Sequence, residues 1–210
     1  MALKVYDFHH DLRNILVTPQ IRARFMPLGV GQTARGHTHD LGHEVFLILQ
    51  GRAEFEIDGE KAILGPGQAC IALIDQSHIV RNIGDEEVIM YLSVTPHILP
   101  THTFWTAEGE KQPPHFNPSW VYDVAPDNDT PLGELTQRHL GAITLLLKAT
   151  AHATEVVERE TQALHKALEA GIRDEARRAR DEMWAALREL YLRLFEQAQA
   201  WNDLAARTAD

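Results

Sequence analysis

Two histidines separated by one residue, with a carboxylate and two glycines at fixed distances, constrain this chain more than any other feature. Gly31 lies six positions before His37, His39 follows two positions later, Glu44 five after that, and Gly51 seven further on. Neutral imidazole and carboxylate are common ligands of divalent first-row metals. Because residues i and i+2 of an extended strand face the same side, His37 and His39 can face one interior together. The spacing therefore predicts a metal-binding cluster built on β-strands.

A second spaced set, Gly67, His78 and Asn82, follows downstream. Together the two sets resemble the motifs of the cupins, small β-barrels of jelly-roll topology. The first motif, G-x5-H-x-H-x4-E-x6-G, is complete, and the second, G-x5-P-x-G-x2-H-x3-N, is matched at its first Gly, its His and its Asn. Leu73 and Asp75 stand where the second motif usually has Pro and Gly. This departure changes a turn and leaves the histidine in place, and the resemblance covers about residues 20–96.

The resemblance implies that His37, His39, Glu44 and His78 bind one divalent transition metal ion. Ligand type alone is compatible with Fe, Mn, Ni, Cu or Zn. The alternative is that these histidines line a ligand cavity without a metal. His43 adjoins Glu44 and is a competing ligand, but strand alternation sends the two side chains to opposite sides, and we prefer Glu44. We expect one or two open coordination positions for water, a substrate oxygen or O2.

Four further side chains are predicted to contact the substrate. Arg35 has the same strand parity as His37 and could hold an anionic substrate in a bidentate contact. The alternative for Arg35 is a surface position near a glycine-rich turn. Phe46, Ile48 and Val80 share faces with the predicted ligands, so we expect them to line an apolar pocket.

Residues 1–95 have the pattern of β-structure, with short β-branched and aromatic runs separated by turn residues. Asp58-Gly59 between two such runs is a strong hairpin signal. Many short strands at regular spacing predict an antiparallel sandwich or barrel, and we assign residues 1–105 to the cupin β-barrel. The predicted strands are 20–28, 44–50, 53–57, 61–64, 68–74, 79–81 and 88–94.

Residues 96–131 hold seven of the ten prolines in the chain, interleaved with aromatic residues. A flexible linker would carry fewer aromatic residues, so we predict an irregular segment that packs on the barrel, assigned as residues 106–132. The histidines of the proline-rich stretch, His97, His102 and His115, are predicted to have surface or hydrogen-bonded structural roles; the alternative is that one of them closes over the barrel mouth.

Residues 133–210 contain no proline and have two apolar stripes at helical spacing. Gly171 between the stripes marks a break between two helices. The prediction is a mainly β plus α chain: a jelly-roll barrel followed by a C-terminal helical hairpin or coiled-coil-like arms. The first stripe is Thr136, Leu140, Ile143, Leu147, Thr150, Thr154, Val157, Thr161, Leu164 and Leu168. The second is Met183, Leu187, Leu190, Leu194, Ala198, Trp201 and Leu204.

Composition and charge indicate the cellular compartment and the classes of partner to expect. The net charge of -10 argues against nucleic acid and against an anionic membrane surface. Cys70 is the single cysteine, which excludes an internal disulfide and fits a reducing cytosol; we expect it to be a small core residue rather than a nucleophile. The N-terminal stretch lacks the apolar region of a signal peptide, and we find no run of about 18 apolar residues. We therefore expect a cytoplasmic protein without a membrane partner, forming a homodimer.

Function is predicted only as a class. The resemblance favours a metal-dependent enzyme, of dioxygenase, isomerase or lyase type, that acts on a small polar molecule bound in the barrel. The alternatives are a non-catalytic binding or sensing protein whose helical tail mediates oligomerisation, and a structural or assembly role carried by the helices. Fold analogy does not select a reaction, and the catalytic residues remain unassigned.

Overall fold

Nine β-strands precede two long helices in the computed structural model, which describes residues 3–209. The chain divides into two compact units, Met1–Asp127 with Ala205–Asp210 and Asn128–Leu204, and each is described by itself. The strands are β1 (Asn14–Val17), β2 (Arg22–Leu28), β3 (Thr33–His37), β4 (His43–Gln50), β5 (Ala53–Ile57), β6 (Glu60–Leu64), β7 (Ala69–Ala72), β8 (His78–Asn82) and β9 (Val88–Thr95). A 3-10 helix at Ser119–Tyr122 follows, and then the helices α1 (Leu132–Glu169) and α2 (Arg173–Ala206).

The strands form two antiparallel sheets. One has the order β1-β2-β9-β4-β7 and the other β3-β8-β5-β6. The last strand, β9, pairs with both β2 and β4, so distant parts of the chain close the first sheet. These two sheets followed by two helices confirm the predicted fold class, a cupin barrel with a C-terminal helical hairpin.

Period-2 alternation places the core between the two sheets. In β4, Glu44, Phe46 and Ile48 are buried on one side, while the residues between them are more exposed. Phe55 and Met90 meet them from β5 and β9 in one continuous apolar cluster. The inward face of β4 is therefore apolar along most of its length and ends in a carboxylate.

The β4–β5 turn needs glycine at position 51. Gly51 has φ of 75°, and a Cβ there would lie 2.8 Å from the carbonyl oxygen of Glu87 and 3.0 Å from Cα of Val88. A side chain would collide with backbone, which cannot move aside cheaply. This glycine of the first motif therefore serves the packing of the turn.

The two residues that depart from the second motif, Leu73 and Asp75, lie in a hydrogen-bonded turn. Asp75 takes φ of 62°, the left-handed region that favours glycine. Its amide donates to the carbonyl of His39 at 3.0 Å, and the Gln76 amide donates to the carbonyl of Leu73 at 3.1 Å. Asp75 therefore has a backbone conformation that favours glycine, the usual residue at this motif position, and His78 follows three residues later.

The two helices of the hairpin pack against each other through a face of α1 that carries small residues. Gly171, with φ of 72°, separates the helices, as predicted. Ala153 and Val156 of α1 pack with Ala186 of α2, and Leu190 covers this cluster. Small side chains allow two helix axes to approach closely, so an alanine-rich face closes the pair.

The predicted first stripe is therefore not the buried face of α1. Leu147 is 68% exposed and Leu140 is 52% exposed, whereas Ala149 and Ala153, which belong to the adjacent face, are buried. The two faces differ by one residue in register, which is about 100° of helix rotation. The second stripe, on α2, does face inward at Met183, Leu187, Leu190, Ala198 and Trp201, which are buried or half-buried, and Leu194 is exposed.

The exposed apolar residues of α1 raise the mean hydropathy of part of this helix, although the sequence has no unbroken run of about 18 apolar residues. Among the described residues, α1 is the one helix long and apolar enough to cross a membrane by length and composition alone. An 18-residue window reaches a mean hydropathy of 1.2, and 11% of it is buried. A single helix of this kind is weak support for a membrane span.

Candidate metal centre

Three strands bring the four predicted ligands to one point in the barrel. His37 ends β3 and is the register partner of His78, which begins β8. His39 lies just beyond β3, after the bridge residue Thr38, and Glu44 is the second residue of β4. His39, Glu44 and His78 are buried, and His37 is half-buried.

The Nε2 atoms of the three histidines converge on one carboxylate oxygen. Glu44 Oε2 lies 2.9 Å from His78 Nε2 and 3.0 Å from His39 Nε2. His37 Nε2 is 3.8 Å from the same oxygen and 3.1 Å from His78 Nε2. One donor atom from each residue lies within 4.8 Å of every other. Donors about 2.1 Å from a common ion fall within such a spacing.

The other ring nitrogen of each histidine is occupied by a backbone carbonyl. Nδ1 of His37 and of His78 each contacts the carbonyl of the residue two positions earlier, at 2.9 and 3.0 Å. His39 Nδ1 makes a short hydrogen bond to the carbonyl of Thr101. Since a carbonyl can only accept, Nδ1 carries the proton in all three rings and donates it.

This tautomer fits a metal ion. With Nδ1 protonated, each neutral imidazole presents a lone pair at Nε2. Three lone pairs and a carboxylate then face one another at 2.9 to 3.8 Å, and the Nε2 atoms of His37 and His78 lie 3.1 Å apart. A bound cation would stabilise this arrangement, and metal-binding histidines commonly donate their second nitrogen in this way. The cluster could therefore hold one metal ion.

The carboxylate is the anionic member of the cluster. In the absence of a metal, an imidazole protonated at both nitrogens can donate from Nε2 to Glu44. Burial opposes ionisation of Glu44, but such hydrogen bonds with the three imidazoles outweigh it and hold its pKa well below the usual range. Burial lowers the pKa of His37. At His78 burial acts in the same direction, but the hydrogen bond to Glu44 is stronger and the pKa is raised. Glu44 thus remains ionised in the barrel interior, where it supplies negative charge to a cation.

His43 and Cys70 lie near the cluster without joining it. His43 is exposed, and its Nδ1 accepts a hydrogen bond from the amide of Ile74 at 3.1 Å. Cys70 is half-buried on β7 and packs against the core. Burial, with a smaller effect of the Glu44 charge, raises the pKa of the Cys70 thiol to about 12. A thiol of that pKa is a poor nucleophile near neutral pH.

A cavity of about 260 Å³ opens beside the ligands. Phe46 and Val80 line it, as the sequence analysis expected, and so does Arg35, whose guanidinium carbon lies 3.9 Å from the ring centroid of Phe104. Ile48 differs from the expectation: it is fully buried in the core and does not line the cavity. The inward face of β4 continues beyond the cavity floor, so sharing a face with Glu44 does not by itself place a residue in the cavity.

Sequence reasoning missed lining residues of two kinds. Arg22 and Arg24 of β2 line the cavity together with Met26. The signal was available, because these three residues alternate along one strand and so face one side. His102 of the proline-rich segment also lines it, with its ring centroid 4.7 Å from that of His37. This placement agrees with the alternative that one histidine of this segment closes over the barrel mouth, although no local pattern in an irregular segment singles out His102.

His102 and His97 are both held neutral by their surroundings. Burial lowers the pKa of His102 well below its usual value, and the neighbouring His37 adds to the effect. Burial also lowers the pKa of His97, to about 3, with Arg22 adding to it. His97 packs at 4.9 Å against the ring of Tyr122. Both rings therefore add polar but uncharged atoms around the barrel interior.

Comparison with known proteins identifies a domain within the β-sheet part of the chain. Residues 24–95 match the family described as Cupin domain. The curated protein "Polyketide synthase CurC" of Streptomyces cyaneus is 35% identical over 91 residues, which are 41% of this chain and 59% of that protein. The chain thus matches less than two thirds of the length of this relative.

Solved structures similar to this chain include two bacterial proteins. An uncharacterised conserved protein with a double-stranded β-helix domain from Klebsiella pneumoniae is 23% identical, with a TM-score of 0.43 over 45% of this chain and 91% of that one. KdgF from Halomonas sp. is 25% identical, with a TM-score of 0.38 over 40% of this chain and 78% of that one. The match at residues 24–95, the complete first motif and the two-sheet barrel show that this part of the chain is a cupin domain, and a C-terminal helical region follows it.

Proposed function

We propose that this cupin is a metal-dependent enzyme that acts on a small polar molecule bound in the barrel. The observation that carries the proposal is the convergence of three imidazole lone pairs and one carboxylate beside a cavity of about 260 Å³. His37, His39, Glu44 and His78 would hold one divalent ion, with Fe, Mn, Ni, Cu and Zn all suited to the donor set. The similarity to a protein named as a polyketide synthase supports an enzymatic role.

The residues around such an ion would have different roles. When bound, the metal would act as a Lewis acid on a substrate oxygen or bring O2 to the substrate. The hydrogen bonds from Nδ1 to backbone carbonyls fix the three imidazole rings, so their lone pairs keep one geometry. Phe46 and Val80 keep part of the cavity wall apolar, and low local polarity strengthens the hold of fixed charges on the substrate. Dioxygenase, isomerase and lyase reactions are all compatible with these roles.

Metal analysis combined with an oxygen-uptake screen tests the proposal. We expect about one equivalent of metal per chain after purification, and turnover of a small polar substrate that chelator treatment abolishes. Redox-active Fe, Mn or Cu with substrate-dependent O2 consumption would support an oxygenase, while Zn or Ni without O2 consumption would support an isomerase or lyase.

The double variant His37→Ala with His39→Ala should lose stoichiometric metal. His152→Ala is the matched control, because His152 is an exposed histidine of α1 outside the cluster. Full metal content in the double variant would overturn the metal assignment. A metal-loaded protein that binds small molecules and turns over none of them would favour the binding-protein alternative.

A second proposal concerns the hairpin: the exposed stripe of α1 packs against the same stripe of a second copy of the chain. The stripe, defined by the ten residues listed for the first helix above, keeps spacings of four and three over its whole length. This is the period of the packing face of a coiled coil. Between Thr136 and Leu168 it extends for about 48 Å at 1.5 Å per residue.

The polar members of the stripe are compatible with an apolar contact. Thr136, Thr150 and Thr154 donate their hydroxyl hydrogens to carbonyls of their own helix, at 2.8 to 3.0 Å. Each hydroxyl is thereby satisfied within the helix, and the threonine methyl group is left for packing. Burying these three threonines would therefore not leave their hydroxyl groups unpaired.

Area and charge both favour a second copy. A face about 48 Å long and about 10 Å wide contributes roughly 480 Å² from each chain, or about 1,000 Å² in total, the lower limit for a specific interface. Residues 132–150 carry two basic residues and one acidic one, net +1, whereas residues 151–169 carry four acidic and two basic ones, net -2. An antiparallel, two-fold arrangement sets the positive half of one α1 against the negative half of the other.

Sedimentation equilibrium of the full chain tests this dimer. We expect twice the chain mass for the wild type and the single-chain mass for Leu140→Glu with Leu147→Glu. Leu145→Glu is the control, because Leu145 is 44% exposed and about 160 to 200° of rotation away from the stripe. A monomeric wild type, or a dimer that the double variant leaves intact, would overturn the proposal. So would a monomer whose stripe binds phosphatidylcholine vesicles, since the occupant would then be lipid.

A further inference from the structure

Two arginines of β2 that have no ion-pair partner among the described residues line the cavity. Arg22 and Arg24 stand two residues apart on one face of the strand and both line the cavity. Arg22 is 3% exposed, which is rare for an arginine that is not paired. The Nε atoms of both side chains are buried and have no hydrogen-bond partner within residues 3–209. The two guanidinium groups that line the cavity beside the predicted ligands therefore each carry one buried donor without a partner.

The surroundings of these arginines do not neutralise them. The ring of Tyr122 lies 5.6 Å from the guanidinium carbon of Arg22, a cation–π distance that leaves the donors free. Asp123 attracts Arg24, but its carboxylate accepts hydrogen bonds from the amide and the side chain of Asn14, at 2.7 and 2.9 Å. Glu44 attracts both arginines and belongs to the predicted ligand set.

The charge of the cavity is opposite to that of the protein. Arg22, Arg24 and Arg35 line it against the single carboxylate of Glu44, and a divalent ion would add further positive charge. The chain as a whole has a net charge of -10. Burial lowers the pKa of Arg22 and of Arg24, and each guanidinium repels the other. Keeping these unpaired cations buried is unfavourable for folding unless an anion joins them.

We propose that Arg22 and Arg24 form a carboxylate-binding subsite, so that the substrate of the metal centre is a small organic acid. This inference rests on the proposed function for the metal and extends it to the substrate class. The planar guanidinium group matches a carboxylate in a bidentate contact, and two of them side by side can hold both oxygens. Apolar lining from Met26, Leu92 and Val121 suits a carbon skeleton, and about 260 Å³ limits it to a small one.

Carboxylates are favoured over phosphate by the donors present. Protein sites for phosphate commonly combine cationic side chains with backbone amides at a helix N-terminus or a glycine-rich loop. The lining here comes from strands and from the proline-rich segment, and the cationic donors are guanidinium groups on β2 and β3. Phosphate is therefore the competing anion in the test.

Calorimetric titration of the metal-loaded full chain with small acids tests the subsite. The probes are benzoate and succinate, the neutral amides benzamide and succinamide, and inorganic phosphate. We expect at least one acid to bind about 10- to 100-fold more tightly than its amide, since hydrogen bonds to charged groups have that effect. Equal affinity of each acid and its amide would overturn the proposal, as would tighter binding of phosphate than of both acids.

Arginine variants separate this subsite from a structural role. Arg22→Met and Arg24→Met should weaken the binding of the preferred acid about 10- to 100-fold while the melting temperature stays equal or rises, because an unpaired buried charge is replaced by an apolar side chain. Arg52→Gln, at an exposed arginine in the β4–β5 turn, should change neither quantity. Unchanged acid affinity, or a lower melting temperature with unchanged affinity, would show that the arginines serve the fold.

Metal content, measured on the same variants, keeps the two proposals apart. We expect the arginine variants to retain the wild-type metal stoichiometry. A wild-type protein that binds the acid but takes up no metal would support the subsite and contradict the metal-dependent function. Full metal content without acid binding would support the metal centre and contradict the subsite.

Discussion

The barrel and the helical hairpin encode their structures in different ways. In the barrel, unlike residues at unequal spacings meet at one point, and His37, His39, Glu44 and His78 each have a place that no neighbour can take. In the hairpin, similar residues recur at nearly equal spacings, and the face predicted to be buried lies about 100° from the one that is. Unlike residues at unequal spacings thus define both the secondary structure and the side on which each residue lies. A repeat of like residues defines only the helical period and not which face of the helix is buried.

The largest effect should come from removing the ion that the barrel cluster could hold. A ligand bound at a thousand times its dissociation constant stabilises the fold by about 4 kcal/mol. We expect the melting temperature to fall when metal is chelated and to return when metal is added back. In Glu44→Gln most of this shift should disappear, while Glu60→Gln, at an exposed glutamate of β6, should keep it. A metal-dependent shift that survives unchanged in Glu44→Gln would place the ion elsewhere.

A single backbone position should show nearly as strong an effect. Gly51→Ala places a Cβ 2.8 Å from the carbonyl oxygen of Glu87 at a positive φ, so we expect a loss of about 3 kcal/mol in the free energy of unfolding. Gly59→Ala is the matched control, with φ of 83° and nothing within 4 Å of the added carbon. Its loss should be about 1 kcal/mol, for the backbone conformation alone. Urea denaturation of both variants measures the difference, and equal losses would rule out the steric account.

The hairpin should respond according to which face of α1 is buried. Ala153 is 3% exposed and packs with Ala186, so Ala153→Leu should overpack the interface and cost about 2 kcal/mol. Leu145→Ala, at an exposed position, should change stability by less than about 0.5 kcal/mol. Thermal unfolding by circular dichroism reports both. A neutral Ala153→Leu would mean that the stripe predicted from the sequence is the buried face after all.

The smallest effect should come from the turn where the chain departs from its family. Asp75 has φ of 62°, and Asp75→Gly removes the penalty of a left-handed side chain but adds freedom to the unfolded chain. We expect a net stabilisation of about 0.5 kcal/mol, with metal content unchanged. Denaturation and metal analysis of the variant check both parts. A loss of metal would show that the aspartate itself, and not the shape of its turn, positions His78.

Much of the barrel could be predicted because its signals are local. Turn residues such as Asp58-Gly59 separate the strands, and the structure has a strand at each of the seven predicted places. The seven predicted strands do not include β1 or β3. β1 has four residues and an irregular register, and β3 includes Gly36, where a Cβ would lie 2.9 Å from Ile79 Cγ1. Short or glycine-containing strands have too weak a pattern to stand out from loops.

Those residues of the site that belong to a family motif could be predicted from the sequence. The sequence named the residues that the structure brings together because a family pattern marks each of them. Arg22, Arg24 and His102 have no such mark, and they reach the cavity through strand pairing and through an irregular segment. The burial of Ile48 away from the cavity has the same origin, since alternation gives the side of a strand but not the depth along it.

The hydrogen bond between His39 and the carbonyl of Thr101 has a consequence for anyone who wishes to isolate or transplant this barrel. The family match ends at residue 95, so a minimal domain cut there would contain all four donor residues. It would nevertheless lack the acceptor that sets the tautomer of one of them, because Thr101 lies beyond the cut. Such a fragment, or a chimera with a foreign sequence after that point, would leave the ring of His39 free to turn. The smallest transferable unit therefore includes part of the proline-rich segment.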